Sequence, residues 1–275
     1  MSDTKIYKEI TIIFTDLDGT LLDRKSYSYE GAEESLRLIQ EKEIPLIFCS
    51  SKTKAEQEFY IHELGIKHPF IVENGGAVFI RKEYFNFKYD YQKSVSGYNV
   101  IEIGLPYEEI IEKLIDIRKK YGINFTGYRD MTAEEVSAET GLGLEAAERA
   151  RKREYDETLK FEDPAEQLER FEKILHKEGL RLTHGGTFFH VMGANDKGKA
   201  VNILVRLFGK VYDSIRTIGI GDSKNDIPLL SAVDIPVLLQ KPEGFWERMD
   251  LPGLRRIEGG GPPAWNRIVL ELLKF

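Results

Sequence analysis

Two aspartates separated by a single residue, Asp16 and Asp18, directly follow the apolar run Ile10 to Thr15 and directly precede Gly19 and Thr20. Side chains alternate along an extended backbone, so both carboxylates can emerge on one side as the chain leaves a strand. Close carboxylates repel unless a proton or a cation intervenes, and hard oxygen ligands of this kind suit Mg²⁺. Gly19 permits a turn there, and Thr20 can hydrogen-bond locally. An ordinary surface turn explains a single Asp-Gly pair better than it explains two acids abutting a buried strand. A second group, Asp222, Asn225 and Asp226, follows the apolar run Ser214 to Ile220. In a parallel sheet the C-terminal strand ends gather on one edge, the usual place for a ligand, and the two groups become one acidic site.

The elements that would position these residues follow from periodicity. Ile10 to Thr15 is a short apolar run that reads as a buried parallel strand, Ile44 to Cys49 and Ser214 to Ile220 read as further buried strands, and Pro69 to Val72 as another strand. Between them, Tyr29 to Glu41 and Lys54 to Leu64 carry apolar residues at helical spacing, the second closed by Gly65. Ala77 to Ile80 suits a hairpin strand. Lys199 to Phe208, Ile227 to Ala232 and Trp265 to Leu273 read as helices, and Ile235 to Leu239 as a strand. The expected fold is an α/β three-layer core built on a Rossmann-like parallel sheet. The middle differs: a tyrosine-rich stretch, an amphipathic helix from Pro106 to Tyr121, a charged segment from Glu134 to Glu172, and two strands flanking Gly185 and Gly186. It reads as an inserted α/β cap domain at 88–192, between core segments 1–87 and 193–275.

With 275 residues, 41% of them hydrophobic, the chain can bury a sizeable core. Its net charge of -7 argues against nucleic acid as a partner. The N-terminus lacks the apolar core of a signal peptide and no stretch approaches a membrane span, so a soluble cytoplasmic protein without a membrane partner is expected. Cys49, the one cysteine, lies in an apolar run and is expected to pack as a small hydrophobe. Trp265, beside Pro262 and Pro263, is expected to be a packed aromatic. No well-spaced trio of His or Cys points to zinc.

With these motifs in order along the chain, the sequence resembles the haloacid-dehalogenase-like hydrolase superfamily. Asp16-Leu17-Asp18-Gly19-Thr20 is similar to its nucleophile motif, Ser50 to its phosphate-binding hydroxyl, Lys197-Gly198 to its phosphate-facing lysine, and Gly221 to Asp226 to its distal metal motif. The insertion between Ser50 and Lys197 resembles the α/β cap of the sugar-phosphatase branch. Where relatives in that branch commonly have Thr-Gly-Arg, this chain has Ser50-Ser51-Lys52. That departure, with Glu73 to Gly76, Arg153 to Glu157 and His184 to His190, resembles a specialised group whose substrate is a phosphorylated sugar-glycerate.

The resemblance implies a phosphate-monoester hydrolase. Asp16 would be the nucleophile that becomes an aspartyl phosphate, and Asp18 would exchange a proton with the leaving group and with water. Ser50 and Lys197 would engage phosphoryl oxygens. Mg²⁺ would be held by Asp16, the Asp18 backbone carbonyl and Asp222, with Asn225 or Asp226 acting directly or through water. Removal of the Lys197 charge is expected to injure catalysis more than folding. Asn74 would form a wall of the pocket, and Arg129, Arg153, Thr187 and His190 are the cap candidates for holding a carboxylate and a sugar. Arg153 equally suits a charge network, and Thr187 and His190 equally suit structural places in a strand. Two other readings are a phosphatase for another sugar or polyol phosphate and a non-catalytic phosphate-binding protein.

Overall fold

The computed structural model of the protein describes residues 9–185 and 188–274. The chain opens with β1 (Glu9–Thr15), α1 (Glu33–Glu41), β2 (Leu46–Phe48), α2 (Lys54–Glu63) and β3 (Phe70–Val72), then β4 (Ala77–Arg81), β5 (Lys93–Val95) and β6 (Tyr98–Glu102). Next come α3 (Tyr107–Tyr121), β7 (Phe125–Gly127), α4 (Ala133–Thr140), α5 (Leu144–Ala150), β8 (Asp156–Phe161), α6 (Leu168–Lys177), β9 (Arg181–Gly185) and β10 (Phe188–Met192). It closes with α7 (Lys197–Phe208), β11 (Ser214–Gly221), α8 (Ile227–Leu230), β12 (Ile235–Leu239), β13 (Arg255–Ile257) and α9 (Gly261–Leu273).

The core sheet has the order β13-β12-β11-β1-β2, and every neighbouring pair is parallel. β1 lies inside the sheet, and its side chains divide between two apolar layers. Ile13 packs with α1 and α9 residues such as Leu36, Trp265 and Ile268, whereas Ile12 and Phe14 pack with Val201, Leu204 and Leu229 of α7 and α8. This is why β1 reads as a continuous apolar run. Trp265 is fully buried, and its indole N–H donates to Thr15 Oγ1 at 2.9 Å. Cys49 is buried as expected, and burial pushes its thiol pKa up.

A separate antiparallel sheet, β7-β8-β10-β9, forms the inserted cap. One face packs on α3 and α6 through Ile110, Leu114, Phe171, Leu159 and Val191. Strand alternation turns Thr158 of β8 and His190 of β10 to the opposite face, toward the core.

The hairpin β5–β6, in the stretch 88–192 expected to be cap, instead extends a third sheet of order β3-β4-β6-β5. The physical reason is pairing: β4 would be left as an apolar edge, and Val100, fully buried, sits opposite Phe79. The crossing toward the cap comes after it, where Ile103 and Gly104 N–H groups both donate to Gly76 O at 2.9 and 2.8 Å.

Candidate active site

The register of the core sheet decides what meets. Thr15 pairs with Ile220 on one side and with Phe48 on the other, so β1, β2 and β11 end level with one another. Asp16, Ser50 and Asp222 follow those ends within two residues, and Asp16 N–H donates to Ile220 O at 2.9 Å. Lys197 enters from the first turn of α7, whose N-cap Asp196 accepts the Lys199 N–H at 2.8 Å.

Lys197 Nζ lies 2.7 Å from Asp16 Oδ1 and 2.6 Å from Asp226 Oδ1. Asp226 Oδ2 accepts the backbone N–H groups of Asp222 and Ser223, each at 3.0 Å. Asp226 therefore has both oxygens engaged and acts as the clamp of the acidic loop. Asp222 is held by Arg24 at 2.5 Å and by the Ser223 hydroxyl at 2.7 Å. Among the described residues, Asp16, Asp222 and Asp226 form one buried group in which one carboxylate oxygen from each lies within 4.8 Å of the others. Burial raises the pKa of Asp222 against the opposing charge of Arg24, and burial raises Asp226 to about 7 against that of Lys197. A divalent cation would relieve this repulsion. The donor set fits one: the oxygens are hard, and Asn225 Oδ1 is buried without a hydrogen-bond partner.

The carboxylate of Asp18 stands apart from that group. Its Oδ2 lies 3.0 Å from Lys52 Nζ, which also reaches Glu56 Oε1 at 3.2 Å. Burial raises the Asp18 pKa, Lys52 opposes that, and the neighbouring Asp16 charge adds to it. The Lys52 ammonium is placed by a capping box at the start of α2, where Thr53 Oγ1 accepts the Glu56 N–H and Glu56 Oε2 accepts the Thr53 N–H. Tyr27 lies beneath it, with its ring centroid 5.0 Å from Nζ. Ser50 is fully buried, and its hydroxyl accepts the Lys52 N–H at 3.4 Å.

A cavity of about 200 Å³ opens over Asp16 and Asp18, between core and cap. Arg24, Tyr27, Lys52 and Asn225 line it from the core, and Tyr128, Arg153, Thr158, Phe188 and His190 from the cap. Of the cap residues picked from sequence, Arg153 and His190 face it. Arg129 does not: it is exposed and pairs with Glu108 at 3.1 Å, because Tyr128 takes the inward position and turns its neighbour out. Thr187 lies outside the described residues. Arg153 lines the cavity with most of its donors engaged, by the Asp156 carboxylate, Ser51 O and Ala150 O. Asn74 lies behind the wall, bonded to Asp156 and to Asn225.

Sequence reasoning gave no role to Arg24, Tyr27 and Tyr128, and named Lys52 only within the Ser50-Ser51-Lys52 motif. For Lys52 a signal existed: Thr53 and Glu56 at capping-box spacing announce a helix start beside the second strand end. For the other three no local pattern marks the role.

The parallel core, the separate cap and a shared acidic edge define a capped α/β hydrolase. A family profile of haloacid dehalogenase-like hydrolases matches residues 13–241, and the chain belongs to that family. It is 47% identical, over 95% of its length and 97% of the relative's, to a protein of Methanococcoides burtonii named glucosyl-3-phosphoglycerate/mannosyl-3-phosphoglycerate phosphatase. A protein of Persephonella marina with the same name is 42% identical over 95% and 97% of the two chains. The mannosyl-3-phosphoglycerate phosphatase of Pyrococcus furiosus is 38% identical over 84% and 91%. The crystal structure of Thermoplasma acidophilum 0175 shares the fold with a TM-score of 0.67, at 19% identity over 96% of this chain and 98% of that one. No described helix is long and apolar enough to cross a membrane.

Proposed function

We propose that the protein is a Mg²⁺-dependent phosphatase of glycosyl-3-phosphoglycerates, converting 2-O-(α-D-mannosyl)-3-phosphoglycerate to mannosylglycerate and phosphate. The observation that carries the chemistry is the meeting of Asp16, Asp222 and Asp226 around Lys197 beneath a cavity that Asp18 also lines. The substrate class is supported by the names of relatives up to 47% identical over nearly the whole chain. Two of those names carry both sugars, so the glucosyl substrate belongs to the reading as well. As the resemblance implies, the product would serve as a compatible solute.

Asp16, Asp222 and the amide oxygen of Asn225 would hold Mg²⁺, with the Asp18 backbone carbonyl. When bound, the cation supplies positive charge that offsets the charge of the transferring phosphoryl group. Asp16 attacks phosphorus, and the bond from phosphorus to the glycerate oxygen breaks as the Asp18 proton passes to that oxygen. Water then attacks the aspartyl phosphate and gives its proton to Asp18, which restores both carboxyl groups and frees phosphate. The raised pKa of Asp18 suits the acid role in the first half, and Lys52 fixes where its carboxyl group points. Lys197 orients Asp16 through their 2.7 Å ion pair. Ser50 and Lys197 would contact the phosphoryl oxygens. Most Arg153 donors are engaged, and Arg24, whose buried Nε has no hydrogen-bond partner, is the cavity cation assigned to an anionic substrate oxygen. His190 and Thr158 face the space where a sugar would lie.

The test is phosphate release from mannosyl-, glucosyl- and unglycosylated 3-phosphoglycerate, each with Mg²⁺. Both glycosylated esters are expected to exceed the bare ester in kcat/KM by about a hundredfold or more. Comparable efficiencies on all three would refute the substrate assignment.

A further inference from the structure

Asn74 sits at the junction of core and cap and touches both. Its amide nitrogen donates to Asp156 Oδ2 at 3.0 Å, and its amide oxygen accepts from Asn225 Nδ2 at 3.1 Å. Asp156 is the first residue of the cap strand β8, and Asn225 lies in the acidic loop between Asp222 and Asp226. Both Asn74 and Asp156 are buried.

The direction of these bonds is forced. Burial alone would raise the Asp156 pKa, but the Arg153 guanidinium and His190 pull it below the ordinary value, so Asp156 is a carboxylate that can only accept. Asn74 must then turn its NH₂ toward Asp156 and its oxygen toward Asn225. An oxygen at that place obliges Asn225 to turn its own NH₂ toward Asn74. The other end of the Asn225 amide is thereby its oxygen, buried and without a hydrogen-bond partner. Asn225 lines the same cavity as Asp16 and Ser223. The reverse amide would offer two N–H donors where a cation needs a ligand.

We infer that Asp156 of the cap sets the orientation of Asn225 through Asn74, so that the docked cap presents an oxygen ligand to the cation held by Asp16 and Asp222. Asn74 and Asp156 are positioning residues in this relay. It rests on the assignment of the acidic group as the cation site. The backbone locks the middle member in place. Asn74 is left-handed at φ 56° and ψ 36°, a conformation asparagine tolerates well. Gly75 follows with φ 85°, and a Cβ there would lie 2.1 Å from Asp196 O. On the other flank, Glu73 accepts the backbone N–H groups of Glu154, Tyr155 and Asp156 at 3.0, 2.7 and 2.9 Å. Cap and acidic loop are thus fastened to one three-residue turn.

The experiment is calorimetric titration of Mg²⁺ into the metal-stripped full-length protein, without substrate, with folding checked by circular dichroism. Asn74→Gly suits the positive φ and removes only the amide. It is expected to weaken Mg²⁺ binding about tenfold, as loss of a partner behind a metal ligand commonly does. Asp156→Asn is expected to weaken it similarly, and the double variant no more than the weaker single one, since both break one chain. A folded Asn74→Gly protein with wild-type Mg²⁺ affinity overturns the relay, as does a double variant whose losses multiply. Should Asp156→Asn not fold, the Asn74→Gly titration alone decides. A wild-type protein that binds no Mg²⁺ overturns the cation site and the relay together, whereas wild-type binding left unchanged by Asn74→Gly removes the relay and leaves the proposed function standing.

Discussion

Lys197 and Asp16, 181 positions apart in the chain, are joined by an ion pair of 2.7 Å. The lysine is only 1% exposed and has Asp226 as its second partner at 2.6 Å. One ammonium therefore answers two buried carboxylates.

This geometry alters the expectation that loss of the Lys197 charge would injure catalysis more than folding. In Lys197→Met, two buried carboxylates lose their counter-charge, a change that typically costs about 3–5 kcal/mol. Urea unfolding in EDTA is expected to show a loss of that size, together with a collapse of kcat. Saturating Mg²⁺ should return part of the stability, because the cation neutralises the same acidic group. A variant as stable as wild type in EDTA would contradict the pairing.

Asp16→Asn keeps the shape and an oxygen for Lys197 but removes the nucleophile. Turnover is expected to fall by about three orders of magnitude or more while the circular dichroism spectrum stays native. Phosphate release at a wild-type rate from folded protein would exclude Asp16 from the covalent role.

The cap carries a pH dependence of its own. Burial raises the Glu157 carboxyl to about 7 from 4.5, although the Tyr107 hydroxyl at 2.6 Å and the Arg129 N–H at 3.1 Å favour its ionised form. Between those two values the folded protein binds more protons than the unfolded chain, so stability falls as pH rises through the window. Glu157→Gln fits the same partners, since the tyrosine hydroxyl can accept from the new NH₂. Denaturant unfolding from pH 4 to pH 8 is expected to show a flatter profile for Glu157→Gln, with its advantage over wild type growing from pH 4.5 and complete above pH 7. A profile parallel to that of wild type would show that Glu157 does not titrate in this window.

The alternation of apolar runs with helical stretches made the parallel core legible from the chain alone, because strand and helix periodicity are local properties of neighbouring residues. Acids placed directly after such runs were legible for the same reason: strand ends of a parallel sheet collect on one edge whatever the loops do. Asp16, Asp18 and Asp222 were named on that ground, whereas Ser50 and Lys197 were named only through the family resemblance; all five lie beside the sheet edge or at a helix start.

Only the tertiary structure decided which partner each side chain takes. The hairpin β5–β6 went to the sheet of β3 and β4 because β4 offered an open apolar edge, which no count of residues along the chain reveals. Arg153 and Arg129 look alike as cap cations, yet the first is engaged by Asp156 and backbone carbonyls and the second pairs with Glu108 at the surface. Lys52, named in the sequence only as part of a motif, became the partner of Asp18. Such choices depend on strand register and on distances between segments far apart in the chain, and those exist only once the core has packed.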